Sequence, residues 1–178
     1  LELQEKKANN LNLVTATHFL PLILPALEKA KAKGLKIPVV YNTGGYEKTE
    51  IIKMLDGIVD IWLPDLKYES SELSARYSQA PFYFQAAAKA IAQMIRQTGN
   101  PHLKKIPEEA APVMDRGVII RHLVLPGSKD DSIRLMHWIA EQLPKDSFYI
   151  SLMSQYTPYE QNPQFPELNR RITSYEYQ

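Results

Sequence analysis

The sequence contains no cysteine. Disulfides, thiolate nucleophiles and thiolate metal ligands are therefore excluded for this chain, and with them the commonest zinc sites and any iron–sulfur cluster that the chain could hold alone. Long apolar runs are also lacking, since no stretch of about 18 apolar residues is present and no charged and apolar leader pattern opens the chain. We therefore expect a cytoplasmic protein that makes no membrane contact.

An excess of charge of one sign is lacking as well. The 21 Lys and Arg residues balance 20 Asp and Glu residues, and the formal net charge of +1 gives no field that would attract nucleic acid. The 178 residues, 44% of them hydrophobic, are enough for one domain with a substantial core, and we place residues 1–178 in it. The chain begins at Leu1 inside a helix-like stretch, so we expect a piece of a longer protein.

The hydrophobic pattern alternates short β-rich runs with longer helical stretches. This alternation is typical of βα units, and the nearly continuous apolar character of each run predicts parallel strands that are buried on both faces. The sequence therefore predicts an α/β fold. The predicted strands cover residues 11–15, 37–41, 58–63, 118–125 and 148–153, and the predicted helices cover residues 19–33, 47–55, 71–77, 82–98 and 130–143.

Three further assignments depend on weaker signals. Residues 99–116 carry three prolines and mixed charge without a period, which predicts a long loop. The last predicted helix is amphipathic, with Ile133, Met136, His137, Ile139 and Ala140 near helical spacing, and His137 is expected to pack on its helix. The tail, residues 155–178, is rich in polar residues and Tyr and is expected to wrap the surface, with a weak helical pattern near Thr173.

Polar residues directly follow each predicted strand. In parallel α/β folds the carboxyl ends of the strands form the ligand-binding edge. Taken singly, these segments have ordinary structural explanations, such as a Gly-rich turn after the second strand or a surface ion pair between Asp65 and Lys67. Together they predict one polar rim, formed by residues 15–18, 42–46, 64–68, 126–128 and 154–157.

Within the rim, Asn42 and Thr43 follow one strand, and Asp65 and Lys67 follow the next. An amide and a carboxylate can accept hydrogen bonds from an ammonium group, while a hydroxyl and an ammonium can donate to a carboxylate. We therefore predict that Asn42 and Asp65 bind the amino group of an amino-acid ligand and that Thr43 and Lys67 bind its carboxylate. Arg121 lies inside an apolar strand, where it needs either a structural carboxylate or an anionic ligand group as its partner.

Several longer segments share their order and spacing with a known family. They resemble radical S-adenosylmethionine (SAM) activases of the pyruvate formate-lyase type, and more closely the pyruvate formate-lyase activating enzyme-like (PflX-type) branch. The resemblance extends over residues 11–171. The segments that carry it are Asn-Leu-Val-Thr-Ala-Thr-His at 12–18, Tyr-Asn-Thr-Gly-Gly-Tyr at 41–46, residues 59–67 ending in Asp-Leu-Lys, Ile-Arg-His-Leu-Val-Leu-Pro-Gly at 120–127, and residues 150–158.

The resemblance implies a partial (β/α)6 open barrel, TIM-barrel-like and of the radical SAM type, that lacks the first strand and the cluster loop. It implies SAM and a 4Fe–4S cluster as cofactors, with the cluster ligands outside this chain, and the generation of a 5′-deoxyadenosyl radical. The implied partners are a glycyl-radical enzyme and an electron donor. This piece alone is expected to be inactive, and the edge left by the missing strand is expected to favour its dimerisation.

Residue by residue, the resemblance implies a set of site residues. Asn42, Thr43, Asp65 and Lys67 match the residues that bind the methionyl part of SAM, and Arg121 matches an arginine near the reaction centre and is the predicted catalytic residue. The other predicted cofactor-binding residues are Leu123, Met153 and Tyr156 on the adenine side, and Thr17 and His18 on the segment that replaces the family's Gly-Gly-Glu.

Two other functions remain open from the residues alone. One is a Schiff-base lyase, with Lys67 as the nucleophile and Asp65 as its acid–base partner. The other is a binding domain without catalytic activity. No metal site is predicted in this chain, because its four histidines have no other ligand residue at the spacing that metal sites require.

Overall fold

The computed structural model describes residues 1–106 and 110–178. In those residues all five predicted strands and all five predicted helices are confirmed, with shifted boundaries. No helix in the described residues is long and apolar enough to cross a membrane. The elements are α1 (Glu2–Glu5), β1 (Leu11–Val14), a 3-10 helix (Ala16–Phe19), α2 (Leu20–Ala32), β2 (Val39–Thr43), α3 (Thr49–Met54), β3 (Ile61–Pro64), α4 (Ser71–Ser78), α5 (Tyr83–Thr98), β4 (His102–Lys104), β5 (Val113–Leu123), α6 (Lys129–Gln142), β6 (Tyr149–Met153), a second 3-10 helix (Pro166–Leu168) and α7 (Ser174–Tyr177).

The sheet is mixed. Strands β1, β2, β3 and β5 are parallel neighbours in that order, and β6 is parallel to β5. The short strand β4 is antiparallel to the first half of β5, while residues 119–123 of β5 pair with β6. The predicted α/β class is therefore confirmed, and the prediction of a wholly parallel sheet is wrong at β4.

The predicted loop at residues 99–116 contains β4 and the start of β5, so that prediction is wrong for these two stretches. All three residues of β4 are exposed, and its His-Leu-Lys sequence has no apolar period that could have indicated a strand. Its pairing with β5 determines its conformation. Residues 107–109 of the predicted loop lie outside the described residues.

The outer strands differ from the prediction of full burial. In β1 the residues alternate between partly buried and exposed, and Val14 is 64% exposed. In β6, Tyr149, Ile150 and Leu152 are all exposed. Each of these two strands pairs with only one neighbour among the described residues, so an apolar run here marks the margin of the sheet. The central strands β2 and β3 are largely buried, as predicted.

Helices cover one face of the sheet. Because strand side chains alternate between faces, Tyr41, Trp62 and Ile120 point to the same side, where they form one buried cluster with Ile91 and Met94 of α5. The rings of Tyr41 and Trp62 lie 5.3 Å apart between centroids. Full burial of apolar side chains of this size contributes about 1.5–3 kcal/mol each, so this layer is the main source of stability.

The opposite face of the sheet, called the open face below, is less covered. On the central strands Val40 and Ile61 are buried on this face, whereas Asn42 and Leu63, nearer the carboxyl ends, are only partly buried. The strand register places Asn42 beside Leu63, and a bridge joins Asp65 to Arg121. The carboxyl-end part of the open face is formed by Asn42, Leu63, Asp65, Arg121, Leu123 and Met153.

Helix α6 packs through part of the predicted face only. Ile139 is buried and Met136 packs against the core, as predicted, whereas Ile133, His137 and Ala140 are exposed. Leu135 is buried as well, together with the polar residue Asp131. The carboxylate of Asp131 accepts hydrogen bonds from the backbone N–H groups of residues 69 and 70 at 3.0 and 2.8 Å. The prediction is wrong for Ile133, His137 and Ala140, because the buried face also includes a hydrogen-bonded acidic residue, and hydrophobic spacing takes no account of such residues.

Candidate functional site

Side chains from three strand ends meet on the open face. Arg121 projects from β5, and its Nη2 donates to Asn42 Oδ1 at 2.7 Å and forms an ion pair with Asp65 Oδ1 at 2.6 Å. The Nζ atom of Lys67 lies 3.7 Å from Asp65 Oδ2. Four predicted site residues are thus brought together, and they are called the Arg121 cluster below: Asn42, Asp65, Lys67 and Arg121.

The Arg121 cluster has two cations for one carboxylate. The side chains of Asp65 and Arg121 are 21% and 26% exposed, so their attraction is less screened than that of a surface pair. The two partners predicted for Arg121 were a structural carboxylate and an anionic ligand group. The structure shows the first, because Asp65 of the chain forms an ion pair with it. Its Nε–H is buried and has no acceptor among the described residues. The excess positive charge and this unused donor favour an added group with an anionic or carbonyl oxygen.

An apolar surface continues from the Arg121 cluster along the open face. Leu123 follows Arg121 by two residues on β5 and is paired with Met153 of β6, so both lie on the same face as Arg121. Both side chains are partly buried. Tyr156 follows β6, and its hydroxyl donates to the Leu168 carbonyl at 3.0 Å, which ties the start of the tail to its second 3-10 helix.

Thr17 and Thr43 belong to a second cluster, centred on Glu47. Both hydroxyls donate to Glu47 Oε1, at 2.6 and 2.7 Å. Because Thr17 uses its hydrogen in this way, its oxygen accepts from the Tyr41 hydroxyl at 2.9 Å. Burial raises the pKa of Tyr41 above its ordinary value, which keeps its hydroxyl a donor. These residues are called the Glu47 cluster.

The two clusters lie on different faces of the strand ends. Thr43 follows Asn42 directly on β2, is only 3% exposed and points to the helix side, whereas Asn42 points to the open face. The structure therefore does not bring Thr17 or Thr43 to the Arg121 cluster. His18 is exposed on the 3-10 helix after β1, and it makes no hydrogen bond or ion pair within residues 1–106 and 110–178.

Sequence reasoning missed Tyr83, the first residue of α5. Its hydroxyl donates to the carbonyl oxygens of Gly44 and Asp65, both at 2.8 Å, and accepts from the Lys67 N–H at 3.1 Å. Tyr83 is distant in sequence from these partners, so no local pattern could have identified it. Glu47 was also missed, although a carboxylate two residues after a Gly-Gly turn and just before a helix was a usable signal.

The backbone around Gly45, the second glycine of the turn after β2, leaves no room for a side chain. Its φ is +81°, in the region that favours glycine, and a Cβ at this position would lie 2.1 Å from the Asp65 carbonyl oxygen. The turns after β2 and β3 are therefore in direct backbone contact. This contact brings the Asn42 and Asp65 side chains of the Arg121 cluster to adjacent positions.

His122 fixes the turn after β3 from the helix side. Its Nδ1 lies 2.7 Å from the Leu66 carbonyl oxygen, which can only accept, so Nδ1 carries the proton. Nε2 then accepts from the Ser132 hydroxyl at 2.8 Å. Burial lowers the pKa of His122, which is consistent with a neutral ring in this position.

The described residues contain no group of three or more His, Asp or Glu side chains placed to hold a metal ion. Combined with the absence of cysteine, this means that the described part of the chain offers no ligand set for an iron–sulfur cluster. The Arg121 cluster and the adjoining Leu123–Met153 surface place charged and apolar side chains next to each other on the open face.

Comparison with known proteins identifies a similar archaeal protein. No family model matches the chain. Over 154 residues the chain is 30% identical to the uncharacterized protein MJ0674 of Methanocaldococcus jannaschii, and the aligned part covers 86% of this chain and 39% of that protein. The chain therefore spans about two fifths of the length of this relative.

Proposed function

We propose that the chain is part of a radical SAM enzyme of the pyruvate formate-lyase activating type and that the Arg121 cluster binds the amino-acid end of SAM. The observation that carries the proposal is the meeting of Asn42, Asp65 and Arg121 from three strand ends, with Lys67 beside them. The order and spacing of the family-like segments support it. In this proposal the parallel strands form five of the six strands of an open (β/α)6 barrel.

The charges of the cluster suit the amino-acid end of SAM. Asn42 and Asp65 would accept from the ammonium group, and Lys67 and Arg121, including its unused Nε–H, would donate to the carboxylate. The ligand ammonium would share Asp65 with Arg121, whose guanidinium contacts both acceptors. Thr43 and Thr17 would act from the helix side, by fixing the turns through Glu47.

The adenosyl end would lie on the apolar part of the open face. Leu123 and Met153 provide a partly buried surface next to Arg121, and Tyr156 lies beyond the end of β6. Partly exposed apolar side chains of this kind favour the burial of an aromatic base. Arg121 would then lie between the two ends of the ligand, near the sulfonium, which is the place expected for a residue at the reaction centre.

Bound together with a reduced 4Fe–4S cluster, SAM supplies a 5′-deoxyadenosyl radical for hydrogen abstraction. This chain's residues would bind and orient the organic part, and the cluster ligands would come from outside it. A glycyl-radical enzyme and an electron donor are the proposed partners of the whole protein. His18, exposed at the end of β1, is the proposed site residue nearest to the segment that would bring the cluster.

Direct binding tests the proposal. SAM should bind saturably to the chain in isothermal titration calorimetry, and Asp65→Asn should weaken it about 10- to 100-fold, because a charge-assisted hydrogen bond is lost. Asp56→Asn is the matched control, since Asp56 is an exposed carboxylate between α3 and β3 and should leave the affinity unchanged. Absence of saturable binding at about 1 mM, the affinity of a weak complex, would refute the proposal.

The Schiff-base alternative has a separate test. Lys67 is 45% exposed and lies beside Asp65 in the Arg121 cluster, and both functions would use it. Borohydride trapping of a carbonyl compound on Lys67 would favour the lyase. Saturable SAM binding that requires Asp65, without such trapping, would favour the radical SAM assignment.

A further inference from the structure

The turns after β2 and β3 are joined by a side chain where their backbone pairing ends. The last backbone hydrogen bond between them runs from the Asp65 N–H to the Thr43 carbonyl at 2.9 Å. Beyond it, the Gly44 carbonyl, the Asp65 carbonyl and the Lys67 N–H all bond to the hydroxyl of Tyr83. One oxygen atom therefore contacts both turns.

Only a group that both donates and accepts can make these three contacts. A phenol has one hydrogen, which is shared between the two carbonyl oxygens, and lone pairs that accept from the Lys67 N–H. Burial raises the pKa of Tyr83 far above its ordinary value, so the hydroxyl keeps this hydrogen. Phenylalanine would keep the ring and lose all three hydrogen bonds.

The position of the Tyr83 hydroxyl is itself fixed. Tyr83 is 2% exposed, and its ring packs edge-on against Tyr68 with 5.7 Å between the centroids. It also begins α5, the helix that forms the main core layer with the sheet. The hydroxyl is therefore held in place by the core.

We infer that Tyr83 is a positioning residue for the amino-acid end of the ligand, because it fixes the turn after Asn42 relative to the turn that carries Asp65 and Lys67. The inference rests on the proposed function. The Tyr83 hydroxyl contacts only backbone atoms of the two turns and no side chain of the Arg121 cluster, so it acts through the backbone. Loss of these three hydrogen bonds should leave the two turns less firmly held against each other beyond the Asp65–Thr43 backbone bond.

The test compares Tyr83→Phe with Tyr68→Phe. Tyr68 belongs to the same aromatic cluster, but its hydroxyl pairs with Ser78 at 2.9 Å, away from the rim, so Tyr68→Phe is the matched control. Three ligands are titrated into the chain: SAM, methionine, and 5′-methylthioadenosine, which lacks the amino and carboxylate groups. Tyr83→Phe should weaken SAM and methionine about tenfold and leave 5′-methylthioadenosine unchanged, because only the first two use the positioned groups.

A general loss of structure would weaken all three ligands alike, and that result would overturn the inference. Equal SAM affinity in Tyr83→Phe and wild type would overturn it while leaving the proposed function intact. Failure of the wild type to bind SAM would instead refute the proposed function, and this inference with it. If Tyr83→Phe does not fold, Tyr83 is replaced by 4-aminophenylalanine, which restores a hydrogen-bond donor at the same place. This variant should bind SAM within about threefold of the wild-type affinity, and a tenfold loss would contradict the positioning role.

Discussion

Substitution of Gly45 by alanine tests the close contact between the turns after β2 and β3. The added Cβ would lie 2.1 Å from the Asp65 carbonyl oxygen and 3.1 Å from the Tyr83 hydroxyl. A tolerable contact begins near 3.0 Å, so the Asp65 carbonyl would have to move by about 0.9 Å, the difference of these values. That carbonyl accepts the Tyr83 hydrogen bond, which would be weakened by the same movement.

Two costs add up for Gly45→Ala. A side chain in the left-handed region costs about 1–2 kcal/mol, and loss of the Tyr83 hydrogen bond costs about 1 kcal/mol more. We expect a loss of about 2–3 kcal/mol in the free energy of unfolding. For a protein of this size the midpoint of thermal unfolding should fall by roughly 4–12 °C.

Gly44 provides the control in the same turn. A Cβ on Gly44 would have no atom within 4 Å, and its φ lies outside the left-handed region. Gly44→Ala should therefore change the free energy of unfolding by less than about 1 kcal/mol. Urea unfolding followed by circular dichroism measures both variants. A Gly45→Ala protein within about 0.5 kcal/mol of wild type would refute the reasoning, since surface substitutions without effect lie in that range.

Two further predictions concern His122 and the tail. Because burial lowers the pKa of His122, the unfolded chain takes up its proton first as the pH falls, so wild type should lose stability below about pH 6.5. His122→Gln should flatten this slope in urea titrations between about pH 5 and 7.5, whereas the exposed control His137→Gln should keep it, and equal slopes would contradict the prediction. Thr173 caps α7 in a capping box with Glu176. Loss of the cap in Thr173→Ala costs about 1 kcal/mol of local stability, so the hydrogen exchange of amides in α7 should become about fivefold faster while exchange in β3 stays unchanged. Equal acceleration in β3 would indicate global destabilisation instead.

The α/β fold was predictable because its signals are local and repeated. Apolar runs placed β2 and β3 within a few residues, and the spacing of polar residues after them located the Arg121 cluster. Asn42, Asp65 and Lys67 were identified because the carboxyl ends of parallel strands must converge. A charge inside an apolar strand needs a partner, and the pairing of Arg121 with Asp65 is one of the two kinds of partner that the sequence predicted, a carboxylate of the chain.

The failures share a different physical origin. Strand β4 has no hydrophobic pattern and is formed by its pairing with β5. Thr43 was expected beside Asn42, yet neighbours on a strand point to opposite faces, so the two residues serve different clusters. Tyr83 acts through a hydrogen bond across the fold, which leaves no trace in local sequence. Long-range hydrogen bonds decided the β4 and Tyr83 cases, and the alternation of side chains along a strand decided the Thr43 case.

The one-sided helix cover of the sheet has a thermodynamic consequence. Leu63, Leu123 and Met153 remain partly in contact with water on the open face, while Tyr41, Trp62 and Ile120 on the other face are fully buried. A ligand that settles on the open face must remove this water, and the removal of water from apolar surface lowers the heat capacity. Calorimetric titrations at several temperatures should therefore show a binding enthalpy that becomes more negative on warming, with a steeper slope for ligands that carry an adenine than for methionine alone.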